Sequence, residues 1–539
     1  MLGAHVSRAV VLLLAASALT AQEHEHGAAS EKLGTVRFAV SCNAGAQTQF
    51  VRGVTLLHSF QFSQAIDGFG AALKSDSSCA IAYWGIALSD WSNPFAAGLK
   101  APAQLQAGAA AAERGQATPA KTERERAYIA AVAKLYADFA KTTQRARLLA
   151  YRDAMAGLAA QYPEDHEAAI FYALALAASE EPTDKTYASR LKAGAILEAL
   201  FVKEPEHPGL AHYIIHTYDV PPLAARALGA AQRYSTIAPD APHALHMPSH
   251  TFTRVGDWQE SIDSNRAASV AARRDQQTGE ELHALDYAAY AYLQTAQDRA
   301  VERLVESLPE VRSRFDPKIV VSGAAPPSAG YFALAAIPAR YALERQDWKA
   351  AAQLEVRETP FPYTEAMTHF ARGLAAARLG DVASARGSRA ALAKIHEQLL
   401  QSTEGYWAGQ VEVQRRAVSA WAALAEGNTD EALREMKSAA ELEDGSEKSA
   451  VTPGPLAPSR ELLGEMLLQL NQPAQALEQF EATLKREPRR FRALYGAARA
   501  AQRVDDRDKS RKYFAELLLV CAPADKPERK EILEARSSK

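Results

Sequence analysis

His212 and His216 are followed 34 residues later by His246 and His250. Residues four apart on a helix project from one face, with Cβ atoms about 5–6 Å apart. If 34 residues is the period of a stack of helical hairpins, the two pairs occupy equivalent points on neighbouring helices, whose axes lie about 8–10 Å apart. Four rings then reach toward one point. Imidazole is a borderline donor suited to zinc, copper or nickel, and three or four at about 2.0–2.1 Å hold zinc without any cysteine. The candidate ligands are His212, His216, His246 and His250, with His243 as an alternative fourth. Asp219, His207 and His283 are candidates for a surrounding layer, Asp219 orienting a ring through its free N–H. Four protein ligands would close the site into a structural centre or a store, whereas three plus water would leave it open to chemistry. The competing reading is that these rings hydrogen-bond between helices or pack against Tyr213, Tyr218 and Phe252. Pro248 lacks the N–H of an interior helical residue, so the second helix is expected to start near His246 or to kink there.

Seven of the fourteen histidines lie between His207 and His283. Elsewhere, His58 and His369 read as packed residues. Arg254, beside the cluster, could grip a carboxylate or phosphate of a bound partner or simply form a local salt bridge. Tyr83 and Trp84, with Trp91 and Phe95, make an aromatic stripe that either packs a hairpin or stacks on a ligand. Glu447-Lys448, leading into Val451-Thr452-Pro453-Gly454-Pro455, is either a loop over the groove or a connector. With no GxSxG, phosphate-binding glycine loop, HExxH or CxxC, no catalytic residue is assigned.

The elements that must position these residues show most clearly near the C-terminus. Leu463-Gly464, Ala476, Phe480 and Pro488 repeat in Ala498, Ser510, Phe514 and Leu517. Small residues permit close helix approach and aromatics fill the gaps between hairpins. This is the pattern of a tetratricopeptide repeat, and the same frame fits Gly53, Ala65, Phe69 and Ala72. Apolar spacings of three and four, with almost no period-two alternation, predict an all-α fold, a TPR-type α-solenoid of antiparallel helical hairpins. The expected organisation is a signal peptide over 1–21, a flexible His/Glu-containing extension over 22–45 and a first solenoid carrying the histidines over 46–321. A loop over 322–330, a second solenoid over 331–530 and a tail over 531–539 complete it.

With 48% hydrophobic and 23% charged residues, the 539-residue chain can bury an extended core. A net charge of −3 gives no global attraction to nucleic acid, which is excluded as a partner class. Arg8 precedes an apolar run from Ala9 to Leu19, followed by Ala21, which reads as an export signal cleaved between Ala18 and Gln22. The mature chain has no membrane-spanning segment and is expected in the periplasm or secreted. In such a compartment Cys42 and Cys79, 37 residues apart, suit a disulfide. The alternative is a pair of buried thiols, which also suits Cys521.

The strings Ala80-Ile81-Ala82-Tyr83-Trp84-Gly85, His207-Pro208-Gly209-Leu210-Ala211-His212-Tyr213-Ile214-Ile215-His216 and His243-Ala244-Leu245-His246-Met247-Pro248-Ser249-His250 resemble a group of exported bacterial tetratricopeptide-repeat proteins. The resemblance covers most of the mature chain. It implies the fold and export and transfers no catalytic residue; the repeat in general implies a protein or peptide partner in the groove. Three functions are therefore expected in order. The first is a non-catalytic scaffold binding a divalent metal, zinc or copper, or a ligand through one, with no nucleotide cofactor. The second is a metal-free peptide-binding module using the same histidines and Arg254. The third is a metallohydrolase or oxidase with Asp219 or Asp286 as base.

Overall fold

The computed structural model describes residues 31–96, 98–181, 183–319, 321–402 and 404–538. The export-signal reading falls on residues outside these. The described chain is all-helical, with twenty-six α-helices and one 3-10 helix. Successive helices pair as antiparallel hairpins, among them Ala44–His58 with Phe62–Ser75, Trp258–Arg274 with Thr278–Gln294, Gly405–Ala425 with Thr429–Asp444, and Phe491–Arg503 with Arg507–Val520. Each hairpin also packs on the next, so the architecture is a TPR-type α-solenoid.

Small residues make this packing possible. A Cβ on Gly464 or Gly496 would meet the Phe480 ring at 2.8 Å or 2.4 Å, and one on Gly53 or Gly85 would meet Phe69 at 2.8 Å or 2.4 Å. The tight turns inside the hairpins pass through a left-handed residue. Glycine takes that place at Gly256, Gly380 and Gly427, whereas Phe60, Ala296, Gln346, Asn471 and Asp505 adopt it with a side chain.

Two ends differ from the sequence reading. From residue 31 to Asn43 the extension is a docked thread. Leu33, Val36 and Phe38 are buried, Lys32 N donates to Asp240 Oδ2 at 2.6 Å and Thr35 N to the Glu206 carbonyl at 2.9 Å. Its apolar residues find a groove between repeats, which the absence of periodicity could not reveal. At the other end Lys530–Ser537 is a helix with Ile532 and Ala535 buried, so the chain is ordered into the segment read as a tail. The segment read as a loop over 322–330 is helical from Pro327 on, because Pro327 opens the helix Pro327–Glu344. Cys42 and Cys79 form a disulfide with Cα atoms 5.2 Å apart, and Cys521 is a buried thiol.

The core has two large bodies, one spanning Leu33 to Phe252 and the other Trp258 to Ala535. The histidine-bearing helices end the first body. The next hairpin, Trp258–Arg274 with Thr278–Gln294, stands at the seam. Trp258 Nε1 ties it to the second body by donating to the Arg489 carbonyl at 3.0 Å, and a strap from Ser446 to Pro458 crosses the seam, with Lys448 Nζ donating to Asp219 Oδ2 at 2.9 Å. Among the described residues no helix is long and apolar enough to cross a membrane.

Candidate metal centre

The two repeats that carry the histidines begin alike. Pro208 and Pro242 each occupy the first turn of a helix, Pro208–Thr217 and Pro242–His246, where a missing N–H loses no bond. Pro248 then breaks the second helix after His246, and the chain resumes as Pro248–Val255 with Met247 still in helical conformation. The break leaves His246 and His250 on the same side.

The rings do not converge four to a point. They divide into two groups of three, each group presenting one nitrogen per ring within a 4.8 Å span: His212, His216 and His243 in the first, His246, His250 and His283 in the second. Each HxxxH pair takes its third member from elsewhere. His243 comes from the opening turn of the next repeat, and His283 comes from Thr278–Gln294 across the seam. The groups adjoin, with ring centroids 5.7 Å apart for His216 and His250 and 5.8 Å for His243 and His246. All six are buried, so they lie inside the solenoid wall and not on an open concave surface.

Neighbouring groups fix which nitrogen of several rings carries the proton. His212 Nδ1 donates to the His58 carbonyl at 2.6 Å, His246 Nδ1 to Asn265 Oδ1 at 2.7 Å and His250 Nδ1 to Asp219 Oδ2 at 2.9 Å. The Asn265 amide is itself oriented, because its Nδ2 donates to the Ser261 carbonyl at 2.7 Å. In a neutral ring the opposite nitrogen, Nε2, then carries a lone pair. His246 Nε2 and His250 Nε2 face each other at 3.1 Å. His212 Nε2, His216 Nε2, His283 Nδ1 and both nitrogens of His243 are buried without any hydrogen-bond partner. Burial, reinforced by the neighbouring histidines, holds His212, His216, His246 and His283 well below the usual imidazole range. It lowers His250 to about 4 against the opposing pull of Asp219.

Burial alone would raise the Asp219 carboxyl, but Lys448 at 2.9 Å and Arg254 at 2.8 Å hold it well below the usual range. Arg254 also donates to the Asp219 carbonyl at 3.1 Å and is buried, so it is spent inside the protein and offers no grip to a partner's carboxylate. Burial pushes Lys448 down to about 8, with Asp219 opposing. Asp286 belongs to a separate pair with Arg340 at 2.8 Å. Trp84 is fully buried against Phe38, Phe50, Tyr128 and Phe171, and Tyr83 backs Gly115 of the next helix, so these two pack a hairpin. His369 is half-buried on Pro362–Leu379, away from the cluster.

His207 lies in a third group with His58 and Glu167. His58 Nε2 and His207 Nε2 donate to the two Glu167 oxygens at 2.8 Å and 2.9 Å. Their other nitrogens accept from Tyr213 Oη at 3.0 Å and Leu210 N at 3.3 Å. Every ring nitrogen here is used. Gly209 makes this group possible, since a Cβ there would lie 2.4 Å from His58 Nδ1.

Several participants carry weak sequence signals. Tyr287 stacks on His250 with centroids 4.7 Å apart and donates to the strap carbonyls of Ala450 and Thr452, each at 3.0 Å. Tyr287 lies one 34-residue period beyond Thr253, on the frame of Asp219, a signal present in the sequence. Glu280 likewise lies one period beyond His246, on the frame of His212, whereas Asn265 and Glu167 have no such mark.

No protein-family model matches the chain, and no curated protein is recognisably similar in sequence. Among solved structures the chain is similar to the human IFIT1 dimer with m7Gppp-AAAA, at 10% identity and TM-score 0.36, covering 90% of this chain and 96% of that one. It is similar to the APC/C hetero-tetramer Cut9-Hcn1, at 12% identity and TM-score 0.34 over 91% and 76%. Yeast Tom70 follows at 11% identity and TM-score 0.27 over 92% and 95%. These overlaps are low, and the solenoid assignment rests on the chain's own helix pairing.

Proposed function

We propose that this chain is an exported α-solenoid scaffold that holds transition-metal ions, copper or zinc, on its buried histidines, in a non-catalytic role. One observation carries the reading: His246 Nε2 and His250 Nε2 stand 3.1 Å apart although both rings already donate from Nδ1. Two lone pairs pointed at each other in a dry interior repel, and an isolated buried polar atom without a partner costs about 1–3 kcal/mol. A cation between them removes the conflict. Two imidazoles on one tetrahedral ion, at about 2.0–2.1 Å each, place their nitrogens at about this separation. The acceptors on the far nitrogens, His58 O, Asn265 and Asp219, match the outer partners that fix metal-bound rings.

Export is supported by the apolar segment after Arg8 and by the Cys42–Cys79 disulfide, a bond that oxidising compartments preserve; the periplasm of a bacterium or the exterior is the proposed location. A non-catalytic role is supported by Asp219 and Asp286, each tied to arginine and unable to serve as a free base. Elemental analysis of purified, tag-free protein tests the metal reading. At least one equivalent of copper or zinc is expected, and less than about 0.2 equivalents, with no uptake on adding either ion, would end it.

A metal-free module for a protein or peptide partner is the second reading. It is favoured by a cavity of about 290 Å³ lined by Arg145, Arg190, Glu180, Tyr406 and Lys448, a mixed-charge surface suited to a polar segment. It predicts partner capture that Arg190→Ala weakens while metal content stays at zero.

A further inference from the structure

The two triads share one interior. A cavity of about 20 Å³, room for one or two small atoms beyond the protein, borders both and is closed on its other sides by residues such as Ala324, Trp407 and Val451. Its walls include two rings of each triad, His216 and His243 from the first and His250 and His283 from the second. The larger cavity of about 290 Å³ shares His216, Ala96 and Ala450 with it, so a small molecule reaches the triads past one histidine edge. Phe95 lies flat on that ring, with centroids 4.4 Å apart.

The charge of the surroundings selects the occupant. An imidazole that binds a metal ion through a lone pair brings no charge to it, so the six rings offset none of the ions' charge. Of the nearby carboxylates, Asp219 is turned toward His250 Nδ1, Arg254 and Lys448, and Glu280 accepts from Ala325 N at 2.5 Å with its other oxygen 3.5 Å from His243 Nδ1. Two dications here would leave about four positive charges in a buried space, where an uncompensated ion costs several kcal/mol. Either monovalent ions or an anionic bridge must relieve this. Copper supplies both: as Cu⁺ it is content with three neutral nitrogens, and it can transfer an electron to a bridging molecule.

We propose that the two triads form one dinuclear copper centre that binds dioxygen between its ions. The proposal rests on the metal reading above and goes beyond it in number, element and ligand. Each Cu⁺ gives one electron, so that two Cu⁺ and O₂ become two Cu²⁺ and a bound peroxide dianion. The O–O bond order falls from two to one, no proton moves and nothing leaves. The peroxide's two negative charges offset half of the charge on the ions, and release of O₂ reverses the step. In two-metal sites the ions stand about 3.5–4 Å apart, a separation that adjacent triads with a shared small cavity allow.

The test loads metal-free, full-length protein with Cu⁺ under anaerobic conditions and then admits oxygen. Expected are about two copper equivalents, uptake of about one O₂ per pair, a new near-ultraviolet charge-transfer band and a cupric pair silent in electron paramagnetic resonance, because the bridge couples the two spins. His243→Gln and His283→Gln, one from each triad, should each leave about one equivalent, lose oxygen uptake and show a cupric resonance signal. Should either variant fail to fold, the wild-type measurements decide alone. A single equivalent overturns the dinuclear proposal and leaves the metal reading standing. So do two equivalents that give a full cupric signal without bound oxygen, or two zinc ions retained against excess copper. Failure to take up any metal overturns both.

Discussion

Two kinds of buried histidine group lie side by side in this molecule. In the His58–Glu167–His207 group a carboxylate accepts from both rings, and Tyr213 and Leu210 donate to the remaining nitrogens. Burial alone would raise Glu167, but its two imidazole partners hold it below the usual carboxylate range. In the two triads three rings are anchored through Nδ1, five nitrogens, both of His243 among them, have no hydrogen-bond partner and two more face each other. The first group is complete as protein. The others leave buried ring nitrogens without partners, where buried polar groups are as a rule paired. Identical side chains, a few ångströms apart, thus divide by whether an acceptor was built in beside them.

The comparison can be broken first at Glu167. Glu167→Leu removes the acceptor of two buried N–H groups and should lower stability by about 2–6 kcal/mol in chemical denaturation, with copper or zinc content unchanged. By contrast His243→Leu, which removes a ring with no hydrogen bond and only a 3.5 Å contact to Glu280, should cost the metal-free protein less than Glu167→Leu, about 1 kcal/mol, while lowering metal content. Equal stability losses in the two variants would erase the distinction.

Loading the metal sharpens it. Copper or zinc at about a thousandfold above its dissociation constant should stabilise the fold by about 4 kcal/mol, read as a rise in Tm. A flat Tm across such a titration would contradict the open character of the triads.

Acid sharpens it further in the metal-free protein. His212, His216, His246, His250 and His283 are depressed in the fold, His250 to about 4, so the unfolded chain binds more protons as pH falls below about 6.5. Their contribution is present above that pH and is lost on acidification toward 4, at up to about 1.4 kcal/mol per pH unit for each ring. Denaturation midpoints that do not fall between pH 7 and 5 would count against neutral, buried rings. The smallest effect is at the periphery: Asp219→Asn should weaken metal affinity by about 10–100-fold, measured by competition with a chelator, by loosening His250.

The all-helical solenoid was legible because its hairpins repeat small and aromatic residues at one period, and the phase of His212, His216, His246 and His250 follows from it. The partition into triads was not. His283 stands where the two preceding repeats have Ile215 and Ser249, so no periodic signal marks it. Pro248 announced a break but not that the break keeps both rings together. The segment after Glu447-Lys448, open between a loop over the groove and a connector, is the strap over the histidines, and its covering contacts join residues more than 160 positions apart, such as Tyr287 with Ala450. Sequence left Arg254 open between a bound partner and a local salt bridge, because the Asp219 it meets is 35 residues away on another repeat. Spacing reports register; it does not report which acceptor a donor meets across a seam.

That strap sets an order of events. All six histidines belong to the chain before residue 284, while Lys448, Ala450 and Thr452 are joined to them only after a further 160 or so residues have been made and folded. Contacts so distant along the chain form late, since loop closure must precede them. During synthesis the six histidines are therefore in place before their cover, and the strap's contacts close over them only once the C-terminal half has been made.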